Sequence, residues 1–352
     1  MVSAEIGKHC GASALTFNMH SQAMLWSALM PDMKTLSADE QTHFKQLREK
    51  QFRRVVEDGA IFSQPISEGG TNWTSRPIQT NCRKVDGGYV INGFKKFASL
   101  AGNCDYYCIL CTEHFEGQEP SHDDTMMFSV HKDAPGLEIV GEWNPLGMRG
   151  TVSRDLILKD LFVSDEEMMM PPKVFIKTLS YWPHIYASLS PSYMGVAQGA
   201  YDFTVQYLKG ELPDQKPIDR RVYPTKRAAV ARMYIMLMQT RTLWYQVMKE
   251  AKAFPSKAEV LRLYAAAYTT MENANAITAL AIRTCGGQSM LKTLPLERMY
   301  RDSRCGSLML PYTAEIMEDY LSVLTLYEAS EIDNIAADTV SARSSIYRPL
   351  EE

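Results

Sequence analysis

No apolar run in this chain reaches the roughly 18 residues of a membrane-spanning helix. No block of lysine and arginine stands out either, and the formal net charge is −4, which argues against nucleic acid as a partner. The opening residues, Met1-Val2-Ser3-Ala4-Glu5, lack the basic-then-apolar order of a secretory signal. Cysteines number seven, an odd count without framework spacing, so the sequence predicts a reduced, cytoplasmic protein. What is present is ordinary globular material. The 352 residues are 45% hydrophobic and 22% charged, too apolar for a disordered chain. The 21 methionines are many; Met fills irregular apolar space, which suits buried helices around a ligand.

Three patterns follow one another. Residues 1–58 read as helical, with Leu15, Met19, Met24 and Leu25 at helical spacing. Pro31 and Leu36-Ser37-Ala38-Asp39 separate two helices, the second capped by Ser37 or Asp39. In residues 59–165 the period shortens. Tyr89-Val90-Ile91 follows an Asp86-Gly87-Gly88 turn, a hairpin signal, and short strands are predicted at 106–111, 126–130, 137–140 and 155–163. Beyond Pro171-Pro172, residues 173–345 turn helical again, with long segments at 193–208, 225–253 and 257–285 and a last helix at 313–328. The fold class is therefore α+β: N-terminal helices, a central antiparallel β domain and a C-terminal four-helix bundle.

Four segments carry a resemblance. Phe62-Ser63-Gln64-Pro65 with Gly69-Gly70-Thr71, then Val90-Ile91-Asn92-Gly93-Phe94-Lys95-Lys96-Phe97-Ala98-Ser99, stand in the β region. Leu146-Gly147-Met148-Arg149-Gly150-Thr151 follows, and Gly286-Gly287, Pro295-Leu296-Glu297-Arg298 and Arg301-Asp302 come later. In this order they resemble the Val-Thr-Glu-Pro/Gly-Ser loop, the LNGxKxWIT strand, the LGxRGS turn and the GGxGY…PxExxxRD segment of the acyl-CoA dehydrogenase family. The resemblance implies a flavin, FAD with FMN as the alternative. Phe62, Ser63, Phe97 and Ser99 would lie at its ring, where donors near N5 and O4 hold it. Gly69, Gly70 and Thr71 would approach a phosphate, and Gly286-Gly287 its pyrophosphate or adenosine, commonly from a neighbouring subunit. Arg301-Asp302 reads as structural, an exposed-rim ion pair or helix-end contact.

The sequence also departs from the family. The family's base is a glutamate in a YEGT loop shortly after Arg-Asp; here that position falls on Leu310 or Pro311. The alternative position in the first bundle helix falls on Ile185, with His184 beside it. The RxxFG motif is replaced by Asp219-Arg220-Arg221-Val222-Tyr223-Pro224. The N-terminal helical domain reads as shortened, leaving apolar surface for a partner. Candidate catalytic groups are His20, His184, Tyr312 and Glu315. His20 lies in Phe17-Asn18-Met19-His20-Ser21, and monooxygenases of this fold also use histidine near the flavin. The bland reading of His20 is a core histidine on an amphipathic helix.

No metal site is expected. Cys108 and Cys111 are three apart on a predicted strand and so face opposite sides, and His122-Asp123-Asp124 reads as a solvated hairpin tip. The resemblance implies a flavin-dependent dehydrogenase of an acyl thioester, carried on coenzyme A or a carrier protein, that passes electrons to an electron-transfer flavoprotein. A flavin monooxygenase fed by a flavin reductase is the alternative, and a non-catalytic subunit of a hetero-oligomer a third. A homodimer or homotetramer built through the bundle is expected.

Overall fold

The computed structural model describes residues 1–69, 76–212, 219–309, 313–328 and 331. The chain opens on three helices, α1 (Val2–His9), α2 (Gly11–Leu29) and α3 (Ala38–Val56). Eight strands follow: β1 (Phe62–Ser63), β2 (Asn81–Val85), β3 (Gly88–Ala98), β4 (Tyr106–Glu113), β5 (Thr125–His131), β6 (Leu137–Val140), β7 (Arg154–Ser164) and β8 (Met168–Met170). Helices come next: α4 (Phe175–Tyr181), α5 (His184–Ala187), α6 (Ser190–Lys209), α7 (Pro224–Glu250), α8 (Lys257–Cys285), α9 (Leu296–Arg304) and α10 (Ala314–Leu326). The predicted fold class is the one observed.

Local chemistry sets most of the boundaries. Ser37 caps α3 through a reciprocal box with Glu40, and Ser256 caps α8 through one with Glu259. Pro224 supplies the first residue of α7, and Gly210 ends α6 at φ +72°, a conformation glycine adopts without strain. The N-terminus differs from expectation: three helices form where two were predicted. Cys10 is extended at φ −148°, and the break frees α1 to lie on α6. That contact depends on glycine. A Cβ on Gly195 would sit 2.2 Å from the Ala4 carbonyl, and one on Gly7 2.5 Å from that of Ser192. The buried Asn18 amide pins the same corner, donating to the Ser188 carbonyl and the Ser192 hydroxyl at 2.8 Å each.

The chain forms two compact units. One gathers Met1–Asn18, Asn144–Gly150 and Tyr186–Leu326; the other contains Met19–Trp143 and Thr151–Ile185. In the first, α6, α7, α8 and α10 pack around Met233, Leu237, Leu263, Tyr264, Ile277 and Tyr320, all buried. The Leu146–Met148 stretch is locked onto α9. Asp302 is 3% exposed and accepts the Met148 N–H at 2.6 Å, and Arg301 donates to the Leu146 carbonyl at 3.0 Å. Burial pushes the Asp302 carboxyl up; the Met148 N–H opposes it. The expected exposed-rim pairing does not occur. Arg301 pairs instead with Glu297 one turn earlier, and Asp302 is a buried anchor.

The second unit is built on one sheet, in the order β6-β7-β3-β2-β4-β5-β8. It is antiparallel except along one edge of β4, where β1 and then β2 pair parallel to it, Phe62 opposite Tyr106 and Asn81 opposite Thr112. β1 and β2 therefore share an edge of β4, and residues 64–69 leave the sheet after β1. A cluster including Ile91, Tyr107, Ile109, Phe128, Val130, Leu156 and Leu161 fills the core of this unit. Cys108 and Cys111 are buried on β4 and held far above the ordinary thiol range by that burial, so they are inert packing groups. Among the described residues no helix is long and apolar enough to cross a membrane, and no group of three His, Cys, Asp or Glu side chains is arranged to hold a metal.

Lys95 on β3 is wholly buried and bonded to Glu68 at 2.7 Å. Burial pushes the ammonium down and the Glu68 charge opposes this; burial pushes Glu68 up, but Lys95 and the Thr80 N–H outweigh it and hold the carboxyl below its ordinary value of 4.5. Glu68→Gln should lower the unfolding free energy by about 3–5 kcal/mol, because it strands a buried charge, and adding Lys95→Met should restore most of the loss. The Glu68 contribution is complete above the unfolded glutamate value and is lost as pH falls through the lower folded value, so this acid limb should vanish in the double variant. Urea titrations across that range check both. On the first unit, a Cβ on Gly147 would meet the Arg301 carbonyl at 2.1 Å. Gly147→Ala should therefore cost about 2 kcal/mol or more in the same assay, a backbone clash that no rotamer relieves.

Candidate functional site

Residues 62–69 are held at both ends. Phe62 and Ser63 form β1 against β4, while the Lys96 N–H donates to the Ser67 carbonyl at 2.8 Å and Glu68 meets Lys95. Glu68 also accepts the backbone N–H groups of Gln79 and Thr80, which ties the far side of the excursion back to its start.

Phe62 is the hub. Its ring is fully buried and stacks on Tyr106, with centroids 5.0 Å apart and 17° between planes. The Arg54 guanidinium lies over the Tyr106 ring, 4.4 Å from its centroid, and is fixed by both oxygens of Glu167 at 2.7 and 2.8 Å. The Phe62 N–H donates to Nδ1 of His20 at 3.0 Å. A backbone N–H can only donate, so Nδ1 is the acceptor nitrogen and the proton of the neutral ring sits on Nε2. Burial lowers the His20 pKa and keeps it neutral. His20 thus meets the loop motif from 42 residues away as a fixed donor at Nε2.

The loop is bonded to the Ser99 backbone, and a chain of three buried hydroxyls starts at the Ser99 side chain. Ser63 donates to the Ser99 carbonyl at 2.5 Å, Ser99 Oγ lies 3.0 Å from Ser153 Oγ, and Ser153 Oγ lies 2.7 Å from Thr151 Oγ1. Rotating these hydroxyls together passes one O–H outward, so the chain can present a donor at Ser99. Beside it Phe97 holds φ +58°, with 54% of its surface exposed and its ring edge-on to Trp143 at 6.1 Å. The Gln64 carboxamide is buried, and neither of its polar atoms has a hydrogen-bond partner. This donor set suits the polar, planar edge of a flavin ring. Gly69 is exposed, with only Lys96 near its added Cβ at 3.8 Å; Gly70 and Thr71 lie outside the described residues.

In the first unit Gly286 ends α8 at φ +83°, and no atom lies within 4 Å of a Cβ built on Gly286 or Gly287. Arg220 stacks over Tyr207 at 4.3 Å, and the Tyr207 hydroxyl reaches Gln288 Oε1 at 3.4 Å, so arginine and glycine turn share one corner. Arg221 is instead engaged by both oxygens of Asp219. The remaining candidates are scattered. Glu315 is exposed in the first turn of α10, and His184 opens α5 with its ring edge-on to Trp182 at 5.7 Å. Leu310, Pro311 and Tyr312 lie outside the described residues.

Three contributors escaped the sequence reading. Tyr106 and Arg54 act through stacking partners distant in sequence, which no local pattern reports. Gln64 was visible only as the glutamine standing where the resembling loop carries glutamate.

Two family models match the chain: acyl-CoA dehydrogenase, middle domain, over residues 65–161, and acyl-CoA dehydrogenase, C-terminal domain, over residues 187–317. The putative acyl-CoA dehydrogenase YdbM of Bacillus subtilis is 29% identical over 260 residues, covering 72% of this chain and 65% of that relative. The chain thus spans a little under two thirds of that protein's length. Among solved structures, KijD3 in complex with FMN and dTDP-3-amino-2,3,6-trideoxy-4-keto-3-methyl-D-glucose superposes with a TM-score of 0.77 at 21% identity, covering 92% of this chain and 78% of that one. Methanesulfinate monooxygenase MsuC from Pseudomonas fluorescens gives 0.75 at 17% identity, covering 92% and 81%. At such identities the structural likeness speaks for the fold. The two models fall in order on the sheet and on the helical segment that carry the motifs, and the chain belongs to the acyl-CoA dehydrogenase family.

Proposed function

We propose that the chain is a flavin-dependent oxidoreductase whose site is built for oxygen transfer from reduced flavin, a monooxygenase chemistry. The observation that carries this reading is the His20–Phe62 bond, which leaves His20 a neutral donor. With Nδ1 taken by an amide and Nε2 already protonated, His20 has no lone pair with which to remove an α-proton. It can donate to negative charge developing on a ligand or on oxygen. The carboxyls do not fill the gap. Among the described residues two are held above their ordinary values, Glu113 and Asp302, both chiefly by burial. Asp302 is occupied by Met148, and Glu113 ends β4 away from the loop motif.

A bound flavin supplies the electron pair; in this reading it arrives reduced from a flavin reductase, and one atom of oxygen enters the substrate while the other leaves as water. Phe62, Ser63, Phe97 and Ser99 would hold the ring, and Gly69 its phosphate-bearing end. FMN and FAD are both compatible with this assignment. The fold is shared with the FMN complex of KijD3 and with the methanesulfinate monooxygenase MsuC.

The second reading is α,β-dehydrogenation of an acyl thioester, favoured by the name of the relative YdbM. It requires a base that His20 does not provide; Glu315, His184 and Tyr312 are the remaining candidates, Tyr312 lying outside the described residues.

Stopped-flow absorbance separates the two. Reduced FMN mixed with oxygen should reoxidise more slowly on the protein than free in buffer, and His20→Phe should remove at least tenfold of that difference. Anaerobic mixing with acyl-CoA thioesters of varied chain length should leave the oxidised flavin unbleached. Bleaching that Glu315→Gln or His184→Asn abolishes would establish the dehydrogenase instead.

The pH dependence has a defined sign. The folded His20 value lies below the ordinary 6.5, so the neutral, Phe62-bonded form contributes fully above 6.5 and its contribution is lost as pH falls through the folded value. Protection of reduced flavin should fall on that acid limb in the wild type, and the limb should be absent in His20→Asn.

A further inference from the structure

Gln64 is 5% exposed, and both its Oε1 and its Nε2 are buried without a hydrogen-bond partner. No other described side chain has two such atoms. A carboxamide so placed has lost its water bonds and regained nothing, whereas methionine of similar size would carry no such cost. The backbone on either side of it is held. Ser63 before it is bonded to the Ser99 carbonyl, Phe62 is fixed on His20 and Tyr106, and Glu68 after it is seated on Lys95. Pro65 follows directly and stiffens the backbone there. No described residue supplies a partner for this amide, which leaves its place open to a bound ligand.

The chemistry of the amide restricts what that partner is. A carboxamide offers one donor and one acceptor side by side. A phosphate or a thioester carbonyl only accepts, and would leave Oε1 unpaired. A group with an N–H beside a C=O satisfies both atoms at once, and the imide edge of a flavin's pyrimidine ring is such a group. We propose that Gln64 recognises that imide edge through paired hydrogen bonds, as a positioning residue for the ring. The inference rests on the flavin reading above. It also gives a meaning to the departure at this position, since a glutamate carboxylate would match only the N–H half of the edge.

The test uses the full chain without flavin, the variants Gln64→Met and Gln64→Glu, and two probes, FMN and FMN methylated at N3. Dissociation constants come from flavin fluorescence and apoprotein stability from the urea midpoint. Gln64→Met is expected to bind FMN about tenfold more weakly while its apoprotein midpoint equals or exceeds that of the wild type. Methylation at N3 should weaken wild-type binding about tenfold and make little difference to Gln64→Met. A lower midpoint with unchanged FMN affinity would make Gln64 a structural group and overturn the inference, as would a raised midpoint with unchanged affinity, which points to a trapped water. Equal wild-type affinity for the two probes overturns it without any variant, so the test survives a substitution that fails to fold. If the wild type binds neither FMN nor FAD, the flavin reading falls and this inference with it. If it binds FMN and ignores the Gln64 changes, only the inference falls.

Discussion

A lysine ammonium with no exposure cannot stand alone, and much of the second unit is arranged around that fact. Lys95 is placed inside by the alternation of β3, and a buried ammonium without a carboxylate is strongly destabilising. The carboxylate comes from Glu68, on the excursion between β1 and β2. Once Glu68 is seated, residues 62–69 are spanned between the β1–β4 pairing and an ion pair on β3. Phe62, Ser63 and Gln64 then lie in a segment held at both ends. The desolvation of one charge is thus converted into the positioning of three polar or aromatic groups, the kind of support a ligand site needs if its donors are to be set before the ligand arrives.

The sequence was most informative where the determining chemistry is local. Ser37 with Glu40, Ser256 with Glu259 and the Asp86-Gly87 turn each fix an element boundary within a few residues, and the predicted and observed limits agree closely there. It was least informative where two segments must fit each other. The break at Cys10 is decided by the contact of Gly7 with Gly195 and Ser192, and a single-segment pattern does not contain it. The parallel pairing of both β1 and β2 with one edge of β4 is equally invisible, because strand patterns carry no partner identity.

The candidate site divides along the same line. Its motif residues could be named from order and spacing, but their roles could not. Arg301-Asp302 read as structural, an exposed-rim ion pair or a helix-end contact, and its carboxylate is the buried anchor of the Leu146–Met148 stretch. His20 looked like a core histidine as readily as a functional one, and only the geometry at Phe62 assigns its tautomer. That assignment is a consequence of backbone chemistry: an amide proton must point at an acceptor, so the ring nitrogen it reaches is committed.

The groups gathered around Phe62 share one electrical character. Arg54 is neutralised by Glu167 and Lys95 by Glu68, so the charges nearby are paired off. What is left for a ligand is neutral: the His20 Nε2–H, the Ser99 end of the hydroxyl chain and the Gln64 amide. Such a set cannot take a proton from a carbon acid of weak acidity, because none of its members becomes a good cation in that environment; His20 would have to break its bond to Phe62 to do so. It can stabilise negative charge through oriented donors that need no reorganisation. Among the described residues around Phe62 there are donors and no free base, an arrangement suited to chemistry in which electron density accumulates on a bound ring or on oxygen, and this is the physical ground of the oxygen-transfer proposal.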